Sequence, residues 1–275
     1  MSAGFSLRRH GLLTLGALLV AGFVTAALLA PWIAPYSPYD LDVVAMLEGP
    51  SAAHPLGTDE LGRDVLSRTI HAARISLLVA LVAVATGLVG GTLVGLAAAW
   101  FGGWVDALLM RLMELLFSFP AILLAVILMA SLGTSTLNAM IAIGIIFIPG
   151  FSRLARAAAN DVLRRPYVDA ARVIGMSDLR IVGREILPNV ATPLLVEAAV
   201  AFAYAVLLES ALSFLGLGAQ PPEPSWGNML NTGRGFMDVA PWLGLVPGLA
   251  MFLCLLGFTL VGDGLRDLLD PHLRE

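Results

Sequence analysis

The sequence predicts an all-α membrane protein with six transmembrane helices, and three observations carry that expectation. Of its 275 residues, 58% are hydrophobic and only 13% charged, about half the charged share of a soluble domain. Uncharged runs long enough to cross a ~30 Å hydrocarbon core recur along the chain. The basic residues, all of them arginine, gather before the first run and again between Arg153 and Arg184. Arginine-rich segments stay on the cytoplasmic side, so both termini are expected there.

Composition also narrows the function classes. A net charge of −4 and the lack of a basic aromatic groove argue against nucleic-acid binding. Cys254 stands alone in an apolar run, so neither a disulfide framework nor a thiolate metal site is expected. His10, His54, His71 and His272 are scattered, and no metal site is read from them. No Gly-rich loop of the Walker type is present, so the chain is not expected to bind or hydrolyse nucleotide itself.

Arg8, Arg9 and His10 precede the first span, Leu12 to Ile33. Its apolar part exceeds the usual 7–15 residues of a cleaved signal peptide, which favours an uncleaved anchor. Residues 1–33 are thus a cytoplasmic N-terminus and a first span. Residues 34–74 form an outer connection with six acidic residues against three arginines. Within it, Thr58 is expected to cap a short amphipathic helix, with Asp59 and Glu60 in its first turn and Asp64 paired to Arg68.

Residues 75–264 hold the remaining five spans. The second, Ile75 to Trp100, carries Gly87, Gly91 and Gly95 on one face, which permits close helix approach. The third runs from Leu108 to Ala130, with an Arg111–Glu114 pair near its start and a kink at Pro120. The fourth starts near Asn138 and, to be long enough, must extend through Arg153 and Arg156. The fifth, Ala191 to Leu217, contains Glu197 and Glu209. Glu114, Glu197 and Glu209 are the intramembrane polar candidates, since buried charge in a span is costly and marks function by default. The alternative for the pair in the fifth span is a hydrogen-bonded structural carboxylate. The sixth span is Trp242 to Val261, and residues 265–275 form a short amphipathic cytoplasmic tail.

Between the fourth and fifth spans lies the longest charged passage, Tyr167 to Asn189. Tyr167, Ala170, Ala171 and Ile174 share one helical stripe. Gly175 stands where a helix can end in a left-handed turn. Ser177 is placed to cap a second helix, with Leu179, Val182 and Ile186 on one face and Pro188 as its stop. Asp169, Arg172 and Arg180 put charges at the rim. This is the pattern of a docking elbow, spanning 165–189, with a small-residue face for a partner.

The elbow resembles the signature loop of the membrane subunits of binding-protein-dependent ABC importers, Glu-Ala-Ala with a glycine four positions on. Here it reads Asp169-Ala170-Ala171 and Gly175, and the second half reads Arg184-Glu185-Ile186-Leu187-Pro188-Asn189. Asp169 replaces the family's Glu, and Glu185 replaces its His. The passage from His54 to Arg68 resembles a second signature, specific to the branch that carries dipeptides, oligopeptides and nickel. Ser210 to Gly218, with Trp226-Gly227, and the tail are similar to the same branch.

The resemblance implies the six-helix fold of type I ABC importer permeases, with the elbow as the ATPase-coupling element. Its coupling residues would be Tyr167, Asp169, Ala170, Ala171, Ile174, Gly175, Arg180 and Pro188. It also implies an outer mouth for docking a solute-binding protein, at Gly57, Thr58, Asp59, Gly62, Arg63 and Asp64. The implied partners are a second, homologous permease, two ATPase subunits that bind the ATP, a solute-binding protein and the lipid of a prokaryotic inner membrane. Peptide is the first substrate expectation, with nickel or another small solute as the alternative. A secondary transporter would instead couple through Glu114, Glu197 and Glu209 and needs no cytoplasmic elbow. A membrane enzyme would need a nucleophile–base or metal set within the spans, and none is visible.

Overall fold

The computed structural model describes residues 3–269, and among these it is helical, with one isolated bridge between Thr58 and Asp64. The long helices are α1 (Ala3–Ile33), α2 (Val65–Phe101), α5 (Thr136–Leu163), α8 (Leu187–Phe214) and α10 (Trp242–Leu269). Between them lie α3 (Gly103–Phe117), α4 (Ala121–Leu132), α6 (Pro166–Val173), α7 (Asp178–Ile181), a π-helical turn at Val182–Ile186, and α9 (Trp226–Arg234). Five helical stretches are long and apolar enough to cross a membrane; α3 and α4 together make a sixth, broken by a 92° bend. Pro120 therefore does more than kink the third span. It follows α3's last turn and caps α4, and because proline has no N–H to donate, the chain changes direction there.

The bundle is held by glycine-mediated contact. Gly87, Gly91 and Gly95 of α2 face Phe147, Phe151 and Ala155 of α5, and Gly144 returns the contact against Thr86. A Cβ on Gly91 would lie 2.5 Å from the Phe151 Cβ and 2.8 Å from the Ile148 carbonyl oxygen. Only glycine lets these two backbones approach so closely, and close van der Waals packing is what joins helices in lipid. The same device joins α1 to α10, where Gly16 meets Leu260 and Gly264 meets Leu13. That contact explains why α10 does not end near Val261. The tail, expected as a separate helix, continues α10 to Leu269, since its glycines pack on α8 and α1 without breaking hydrogen bonding. Asp270 to Glu275 lie outside the described residues, as do the side chains of Arg8, Arg9 and His10.

The fourth span extends through Arg153 and Arg156 as its length requires. Arg156 forms an ion pair with Asp106 of α3, and the Arg153 guanidinium lies 3.7 Å from the Phe117 ring centroid. Both arginines thus tie α5 to α3. At the opposite end, α9 lies between the fifth and sixth spans, where no helix was expected. Ser225 and Asn228 cap it reciprocally, and Trp226 is fully buried with its Nε1 donating to the Thr69 carbonyl at 3.2 Å.

Candidate functional site

The elbow is built by α6, the turn at Gly175 and α7. Pro166 starts α6 at a position where no backbone donor is needed. The helix ends in a Schellman turn: Gly175 has φ +77° and donates to Arg172, while Met176 donates to Ala171, both at 3.0 Å. Val168 and Ala171 on α6, with Ile181 and Ile186 beyond the turn, are buried against the bundle. The other face carries Tyr167, Ala170, Val173, Ile174 and Leu179, all exposed. Val173, Ile174 and Leu179 are 87%, 77% and 87% accessible. Asp169 and Arg172 pair at 3.3 Å on the surface, and Arg180 is exposed nearby.

Four expectations for this element need correction. Ala171 does not share a docking face with Ala170; it is buried, because α6 needs a small residue where it lies on its own bundle. Leu179 does not align with Ile186, since the inward face of α7 begins at Ile181. Ser177 begins α7 through its backbone carbonyl, which accepts from Arg180 and Ile181, with no side-chain cap bond. Nor does Pro188 stop the second helix. The π turn at Val182–Ile186 precedes it, and helical structure runs from Asp178 to Phe214. An extra residue in one turn shifts the hydrogen-bond ladder so that a proline with no donor is accommodated.

Gly57, Thr58, Asp59, Gly62, Arg63 and Asp64 are all buried. Asp59 accepts from the Arg63 Nε at 2.6 Å and lies 3.4 Å from the Arg68 Nε. Asp64, not Thr58, is the helix cap: its carboxylate accepts from the Ser67 amide at 2.7 Å and contacts the His54 Nδ1 at 3.0 Å. Thr58 Oγ1 instead donates to the Ala45 carbonyl. Arg68, the expected partner of Asp64, donates to the Pro38 carbonyl at 3.0 Å. These charged groups knit the connection onto α2, because a buried charge is tolerated only when paired and hydrogen-bonded. Elsewhere on this connection Leu41, Val43 and Val44 are exposed, Val44 95% accessible.

The three intramembrane acids separate. Glu114 is exposed and pairs with Arg111 at 3.1 Å. Glu209 is buried, accepting from Ser76 of α2 and Ser213 of α8, each at 2.7 Å. It is the hydrogen-bonded carboxylate facing other helices. Ser213 was visible one turn along the same helix, whereas Ser76 is distant in sequence. Glu197 faces a cavity of about 370 Å³ between α3, α4, α5 and α8. Among the described residues, no group of three His, Cys, Asp or Glu is arranged to hold a metal ion.

Residues 91–275 match the family described as binding-protein-dependent transport system inner membrane component. The chain belongs to that family. Residues 3–50 of this inner-membrane component match the N-terminal TM domain of oligopeptide transport permease C. The chain is 42% identical to the dipeptide transport system permease protein DppC of Alkalihalophilus pseudofirmus, covering 98% of this chain and 88% of that one. It is 46% identical to the di/tripeptide transport system permease protein DppC of Pseudomonas aeruginosa, over 94% and 88%. It is 41% identical to the glutathione transport system permease protein GsiD of Pectobacterium atrosepticum, over 98% and 89%. Among solved structures, the inward-facing MetNI methionine ABC transporter matches with a TM-score of 0.59 at 16% identity, covering 71% of this chain and 93% of that one. The fold is therefore that of ABC importer permeases. As a membrane component of such an importer, the chain is not the subunit that hydrolyses ATP.

Proposed function

We propose that this chain forms half of the translocation pathway of an ATP-driven importer for di- and oligopeptides, beside a second homologous permease. Two ATPase subunits dock at the 165–189 elbow, and a solute-binding protein delivers substrate at the opposite end. The chain carries no cofactor of its own, and ATP is bound by the ATPase partners. The elbow and both termini face the cytoplasm, and lipid surrounds the outer faces of the spans.

The observation that carries the coupling role is the bare apolar face of the elbow. Val173, Ile174 and Leu179 stand almost fully exposed beside Arg172 and Arg180. Burying each such side chain is worth about 1.5–3 kcal/mol, so a partner that covers all three gains several kcal/mol. The peptide substrate is supported by the two DppC relatives and the GsiD relative, whose names specify peptides and glutathione. Uptake of a labelled dipeptide by cells expressing the whole importer tests the reading. Uptake should vanish when this chain is deleted and return with the wild-type chain. It should not return with the double variant Ile174→Asp, Leu179→Asp, from which the ATPase subunits should dissociate on purification. Dipeptide uptake that persists without this chain would refute the function, and retained ATPase in the double variant would refute the docking face.

A further inference from the structure

The cavity beside Glu197 is unlike the other apolar surfaces of the spans, because a carboxylate opens into it. Glu197, Val200, Ala201 and Tyr204 follow one face of α8 and line it, opposite Phe117, Phe147 and Phe151. Phe147 and Tyr204 meet edge to face at 6.1 Å between centroids. Among the described residues, no ion pair or hydrogen bond reaches Glu197.

From this arrangement we infer that the cavity is a peptide-binding station within the pathway, where the Glu197 carboxylate receives the protonated amino terminus of a two- or three-residue peptide. The inference rests on the peptide-importer reading and names the site at which this chain touches its cargo. Charge decides the polarity: an unpaired carboxylate among aromatic rings favours a cation, and ring faces attract ammonium as well. Length decides the size class. Tyr204 lies seven helical steps beyond Glu197, about 10 Å along α8, and an extended chain spans about 3.3–3.6 Å per residue. A peptide of two or three residues therefore runs from the carboxylate to the phenol. The volume of about 370 Å³ lies at the small end of ligand pockets, about 300–1,000 Å³. The aromatic wall accepts varied apolar side chains, which leaves the amino terminus as the common handle.

The test uses the complete importer purified without its binding protein, so that peptide reaches the cavity directly. Val200→Cys is introduced together with Cys254→Ala, and the rate of maleimide labelling is measured with and without millimolar alanylalanine. A ligand at about nine times its Kd should slow labelling about tenfold, because the free fraction is the inverse of one plus [L]/Kd. N-acetyl-alanylalanine, which lacks the ammonium, should not slow it. Adding Glu197→Gln should abolish protection, and Glu197→Asp, which restores the charge, should recover part of it. Equal protection by both peptides, unchanged protection in Glu197→Gln, or protection only by added phospholipid would each overturn the inference. Uptake of alanylalanine by the wild-type importer is measured in parallel. Uptake without selective protection overturns the station alone, whereas no uptake overturns the peptide reading and the station with it.

Discussion

Replacing Gly175 by valine perturbs the elbow without crowding it. A Cβ at Gly175 would meet nothing within 4 Å, so steric clash with neighbours contributes no cost. The cost is conformational. At φ +77° an L-residue is disfavoured by about 1–2 kcal/mol, and a β-branched residue lies at or beyond the upper end. If the turn opens instead, the two hydrogen bonds that Gly175 and Met176 donate back to α6 are lost. A cost of 1–2 kcal/mol lowers the ratio of native to opened turn about 5–30-fold. Asparagine fits the same open space and tolerates the left-handed region, so Gly175→Asn isolates backbone conformation from side-chain size. In proteoliposomes containing the full importer, Gly175→Val should cut binding-protein-stimulated ATPase activity by that factor while membrane insertion is unchanged. Gly175→Asn should remain within a few-fold of wild type. Equal activity of the valine variant and wild type, or equal loss in both variants, would refute the argument that this φ angle sets the elbow.

Two further outcomes follow from the burial pattern. Ala170→Arg and Ala171→Arg should separate: the first, on the exposed face, should release the ATPase subunits at unchanged thermal stability. The second overpacks a buried position at a cost of about 1–3 kcal/mol and should lower the melting temperature of the isolated permease, measured by thermal shift in detergent. Glu209→Ala strands the hydroxyls of Ser76 and Ser213, each worth about 1–3 kcal/mol when unpaired and buried, and should lower the melting temperature more than Glu209→Gln, which keeps an acceptor.

The spans were legible because lipid imposes length and apolarity on each helix separately, so they can be read one at a time. The α2 glycine face was legible for the same reason, since residues four apart share a face wherever the helix goes. The Gly175 turn was equally local. What failed to read was whatever depended on a distant partner. Asp59, Arg63 and Asp64 look like surface charges in sequence, and only the fold shows that all three are buried, Asp59 against Arg63 and Arg68, and Asp64 against Ser67 and His54. Ala171 and Ala170 are equivalent as letters, yet the bundle lies behind one of them. Pro188 reads as a helix stop because the π turn that accommodates it has no short sequence signature. Glu209 required Ser76, from another helix, before its carboxylate had a second hydroxyl.

The central claim is that the elbow's apolar face engages an ATPase subunit at one end of the bundle while the outer connection faces the binding protein at the other. Cysteine at Ile174 and cysteine at Val44, each in a Cys254→Ala background, test both halves in one crosslinking experiment on the assembled importer. Ile174→Cys should crosslink to an ATPase subunit and resist an impermeant label in intact cells. Val44→Cys should react with that label and crosslink to the solute-binding protein. Crosslinks in the reverse pattern, or an Ile174→Cys that reacts from outside, would contradict the account.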